Sequence, residues 1–117
     1  MQELANSSIV TVAGSQPPIF CGVLPLGAKK GIGITVKSIS GVNSRSCVCC
    51  LILTLRAENR DELLAHADLL RSKLPSTAPE GTIMEFPEQD FSIEGIKTIN
   101  RWVWQMSLAL KITTANI

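Results

Sequence analysis

The sequence predicts an α/β chain of the α+β type: a mainly antiparallel β-sheet, one long capped helix packed on it, and a short N-terminal helix. Three observations carry this. Residues 99–113 alternate apolar and polar side chains at period two. Cys47–Glu58 is an apolar run that reads as a central strand. Between them, Asn59–Leu74 repeats leucine and alanine at helical spacing behind a capping residue. The 117 residues form one domain, 1–117, with enough chain for one core.

Taken in order, residues 2–13 mix a weak helical face (Leu4, Ser8, Ile9, Val12) with a β-branched run. A short helix is expected there, stopped by Gly14-Ser15 and Pro17-Pro18. Ile19–Leu24 reads as a short strand before Pro25, and Gly27–Gly31 as a basic turn. Ile32–Ile39 alternates, with Ile32, Ile34 and Val36 on one face and Gly33, Thr35 and Lys37 on the other. Residues 40–46 form a small polar loop. In Cys47–Glu58, Leu51, Leu53 and Leu55 point inward and Thr54 and Arg56 outward.

In the helix, Asn59 is the expected N-cap, with Glu62 completing a capping box. Asp61 and Glu62 suit its positive end; Arg71 and Lys73 suit its negative end. Leu63, Ala67, Leu70 and Leu74 mark the buried face, broadened by Leu64, and Pro75 ends the helix. After a linker, Thr82–Phe86 is a short strand and Pro87–Glu94 an acidic loop. In the final strand, Trp102, Trp104, Met106, Leu108, Leu110 and Ile112 share the apolar face. Fifteen residues extend roughly 50 Å, so part of this strand is expected to bend, bulge or project toward a neighbouring subunit.

Composition narrows function. Apolar residues make up 45% and charged residues 18%, which fits a globular chain and excludes a disordered tail. The five aromatics, Phe20, Phe86, Phe91, Trp102 and Trp104, are too few for a stacking platform along single-stranded nucleic acid. Charge falls in blocks: +4 over residues 1–57, −6 over 58–95 and +3 over 96–117. Alternating sign suits faces that meet complementary faces of neighbours, or a mixed solvated surface. The first cation is Lys29, so no secretory leader is expected. No apolar run approaches the ~20 residues that span a bilayer, and no membrane partner is expected.

The search for chemistry finds no catalytic set. His66 is the single histidine and sits between alanines in the helix. Neither G-x-S-x-G nor H-E-x-x-H occurs. Cys47, Cys49 and Cys50 lie in a strand without the paired spacing of a zinc site, and read as inert thiols beside Cys21. Glu85, Glu88, Asp90 and Glu94 do not match a calcium loop. Gly22-Val-Leu-Pro-Leu-Gly27 has P-loop glycine spacing, but Ala28 stands where lysine is required. No cofactor, metal or catalytic residue is assigned, and the chain is not expected to be an enzyme.

Three stretches together resemble a known family: Ile19-Phe-Cys-Gly-Val-Leu-Pro, the helix Ala57-Glu-Asn-Arg-Asp-Glu-Leu-Leu-Ala-His-Ala-Asp-Leu-Leu, and the ending Arg101-Trp-Val-Trp-Gln-Met-Ser-Leu-Ala-Leu-Lys-Ile. With the strand pair across Ile32–Arg56, they look like the small minor capsid or tail terminator proteins of tailed bacteriophages. The resemblance implies a virion protein at the head-proximal end of the tail. Copies form a ring, expected to be a hexamer, on the last ring of the tail tube, ending polymerisation and presenting a surface for head-tail joining. Its partners would be other copies of itself, tail tube protein, a neck or head-completion protein and, in contractile tails, sheath protein. DNA would pass only through the ring lumen. Candidate interface residues are Lys29, Lys30 and Arg45 in the turns, and Arg101 and Gln105 on the polar face of the last strand. The alternatives are a neck connector and, in another class, a small-ligand module using the Gly22–Gly33 segment.

Overall fold

The computed structural model describes residues 9, 19–22, 24–25, 27–28, 30–41, 46–87, 93–97 and 102–115. The strands are β1 (Ile19–Cys21), β2 (Gly31–Ser40), β3 (Ser46–Ala57), β4 (Thr82–Glu85), β5 (Glu94–Lys97) and β6 (Trp102–Ala115). The helix α1 (Arg60–Lys73) follows β3 and runs into a 3₁₀ turn at Leu74–Thr77. The strands form a single sheet in the order β1-β2-β3-β6-β4, with β5 also on β6. Every pairing is antiparallel except β1 with β2. The expected α+β class therefore holds; the expected N-terminal helix lies outside the described residues, save for Ile9, which is fully buried in the core.

α1 forms where its capping chemistry places it. The Glu62 backbone N–H donates to Asn59 Oδ1 at 2.7 Å, and Asn59 itself is extended. Leu63, Ala67, Leu70 and Leu74 are buried as their spacing requires. They meet Leu51, Leu53 and Leu55 of β3 and Met106, Leu108, Leu110 and Ile112 of β6, all essentially inaccessible. Each fully buried leucine contributes about 1.5–3 kcal/mol. β3 is central, as its two-sided apolar run predicts.

Four expectations need correction. The first strand ends at Cys21 rather than Leu24, because Gly22 takes φ +135, a turn conformation that side chains other than glycine's rarely adopt. A bulge between Val36 and Ser38 inserts Lys37, so Ile39 pairs with buried Cys49 on the helix side instead of following Lys37 to the other face. Glu94 belongs to a strand, β5, that its charged and glycine-containing sequence did not announce. Among the described residues, the last strand does not project beyond the sheet. β6 pairs with β3 from Trp104 to Ala115, while on its other side β5 pairs with Trp102–Gln105 and β4 with Lys111–Thr114.

Candidate functional site

Two strips of α1-free sheet surround the core, and each presents side chains that the fold leaves uncovered. β6 has 14 residues and extends about 46 Å at ~3.3 Å per residue. α1 also has 14 residues but reaches only about 21 Å at 1.5 Å per residue. A single helix of that length is shorter than the strand. Trp102 and Trp104, on the same face as Met106 and Leu108, stand 67% and 37% exposed at the end of β6 where Trp104 pairs with Ala57, the last residue of β3. Periodicity assigned them to the apolar face; the assembled sheet leaves them at the surface. Trp102 packs beside Gly95, where an added Cβ would lie 3.8 Å from Trp102 Cε3, and Lys97 pairs directly across from Trp102.

On the opposite face of that same end, Arg56 is buried to 7% exposure although alternation placed it outward. Its Nη1 donates to the carbonyl oxygens of Pro25 (2.8 Å) and Ala28 (3.0 Å). Nε and Nη2 both donate to Gln105 Oε1, at 3.1 and 2.9 Å. These acceptors are neutral, and burial pushes the guanidinium pKa below its ordinary value. Arg56 thus ties the turn before β2 to β6 across the sheet. The turn lies flat on β2: a Cβ on Gly33 would come 2.8 Å from Gly22 O and 3.1 Å from Leu24 Cγ. Gly22 and Leu24 therefore lie against the strand, with no room for a methyl group above Gly33. Leu24 and Val103 are also buried outside the main cluster.

Of the predicted interface residues, Lys29, Arg45 and Arg101 lie outside the described residues. Lys30 is exposed at the bend entering β2. Gln105 is half-buried and is committed to Arg56 instead of facing outward freely. The structure brings Lys30 and Gln105 to one end of the sheet, since Gly31, Arg56 and Gln105 pair in one row. Sequence reasoning missed the hydrogen bonds from Arg56 to Gln105, Pro25 and Ala28, and the exposure of the two tryptophans beside them.

Other candidates separate. His66 is half-buried on α1. Cys47, Cys49 and Cys50 are free thiols; Cys49 is buried, which raises its pKa. Among the described residues, no group of three or more His, Cys, Asp or Glu is placed to hold a metal. Glu85 instead approaches Lys111 Nζ at 3.7 Å, on the exposed side of β4. Among the described residues, no helix is long and apolar enough to cross a membrane. No protein-family model matches this chain, and no curated protein is significantly similar to it.

Proposed function

We propose that this chain is a structural assembly protein of the tail terminator kind: a subunit of a ring that caps a phage tail tube and offers a surface for head-tail joining. The identity of the partner rests on the family resemblance of the three sequence stretches. The observation that supports assembly is the Trp102–Trp104 end of the sheet. Exposed tryptophans joined on one strand are costly to leave in water and are characteristic anchors of protein interfaces. Lys30 and Lys97 stand at the same end with Glu58 and Glu94, giving it a margin of both signs suited to a partner surface of complementary charge pattern. In this reading the tryptophan end meets the last tube ring, and the short N-terminal helix expected from residues 2–13 belongs to the same subunit.

The test uses the only two tryptophans as reporters. Particle mass is measured for the chain alone and with purified tail tubes, with tryptophan emission followed on mixing. Ring formation or tube binding with a blue-shifted emission supports the proposal. A chain that stays at 12.6 kDa in both conditions refutes it. In intact particles, cross-links to portal-region proteins in place of tube protein would reassign it to the neck.

A further inference from the structure

We infer that copies join head to tail through the two edges of the sheet, with β2 of one copy entering a groove between α1 and β4 of the next. The inference rests on the ring reading and specifies its subunit junction.

Three further large apolar side chains are exposed: Val36 (43%), Ile39 (51%) and Ile83 (61%). They occupy opposite edges of one sheet. Val36–Ser40 of β2 extends beyond β1, which pairs only with residues 32–34, and all five residues are exposed. At the other margin, among the described residues, no strand pairs with the outer side of β4.

The two edges stand level. Ser40, Val48, Thr113 and Ile83 form one row across the sheet; Ile39, Cys49, Ile112 and Met84 form the next; Ser38, Cys50, Lys111 and Glu85 the third. Moving one copy sideways therefore sets Ile39 beside Met84 and Ser38 beside Glu85 of the next without displacement along the strands. β2 and β4 run in opposite directions in the same sheet, so two copies held the same way up meet as an antiparallel pair.

The groove fits what β2 brings. It is an open depression of about 650 Å³, lined by Asp68, Arg71 and Pro75 on the helix side and Met84, Glu85 and Phe86 on the strand side. Ile39 lies on the helix face because of the bulge at Lys37. It enters above Met84, with Val36 near Phe86. Lys37, the inserted residue, comes level with Glu85 on the other face, where it joins Lys111 beside that carboxylate. An edge lysine and a bulge ordinarily discourage strand pairing; here the lysine is set against Glu85 of the receiving edge. Because the two joined surfaces differ, the contact is heterologous and closes into a ring when the rotation per copy permits.

The experiment measures assembly mass, by sedimentation and native mass spectrometry, on free chain and on tube-bound protein. The variants are Ile39→Asp, Lys37→Glu and Glu85→Lys, all at exposed positions, with thermal unfolding checked for each. Each single variant is expected to weaken association by about tenfold or more. Lys37→Glu combined with Glu85→Lys in one chain is expected to restore it. Mixing Ile39→Asp with Glu85→Lys leaves one usable edge on each copy, and a dimer with nothing larger is expected. Single variants that assemble like the parent overturn the edge junction while leaving the ring standing. A mixture that gives no dimer overturns the head-to-tail arrangement. A parent chain monomeric both free and with tubes overturns the ring reading and the junction together.

Discussion

Replacing Arg56 with methionine keeps the length of the side chain and removes its guanidinium. Four hydrogen bonds disappear, two to Gln105 Oε1 and one each to Pro25 O and Ala28 O. Hydrogen bonds from a charged donor contribute about 1.5–3 kcal/mol each when taken singly. The sum is not reached, for two reasons. Two of the bonds share one acceptor, and Pro25 is exposed, so water can replace part of what is lost. Relief from burying an uncompensated charge offsets a further part. The expected net loss is about 2–3 kcal/mol, which at a urea slope of about 1–3 kcal/mol/M lowers the unfolding midpoint by roughly 0.7–3 M. The loss is also local: the turn before β2 is released first, so trypsin cleavage after Lys30 accelerates under native conditions. Arg56→Lys keeps the charge but cannot span three acceptors, and is expected to fall between. An Arg56→Met protein with unchanged urea midpoint and unchanged cleavage after Lys30 would refute the view that this side chain ties the turn to β6.

Four further outcomes are expected. Gly33→Ala forces a methyl to within 2.8 Å of Gly22 O, costing about 1–3 kcal/mol in chemical denaturation; parent-like stability would disprove the close packing of the turn on β2. Leu70→Ala removes a fully buried side chain and costs about 2–5 kcal/mol, whereas half-buried Leu64→Ala costs less, both read by thermal unfolding. Asn59→Ala deletes the acceptor of the Glu62 N–H and costs about 1 kcal/mol, with Asn59→Asp close to the parent. Cys49 reacts with thiol reagents more slowly than Cys47 or Cys50, as peptide mapping would show, because burial raises its pKa and denies access. A raised folded-state pKa favours the fold fully below the ordinary thiol range, and that contribution is lost as pH rises through and above it.

Much of this molecule is legible in local sequence, because local periodicity and capping are properties of neighbouring residues. Asn59 with Glu62, and Leu63, Ala67, Leu70 and Leu74, determined the helix and its buried face without reference to the rest of the chain. The apolar run of β3 and the alternation of β6 likewise determined a central strand and the face that carries the core. What only the tertiary structure decided is which side chains that core leaves uncovered. Trp104 and Met106 follow the same alternation on one strand, yet one is exposed and the other buried, because only the assembled neighbours decide which positions of that face are covered. Arg56 alternates outward with Thr54, yet it is buried, because a turn some thirty residues away folds over it. Ile39 changes face through a single inserted residue, and its level with Met84 exists only through two intervening strands. Exposure and alignment depend on how far each neighbour reaches and where it registers, and those distances are set by the assembled sheet.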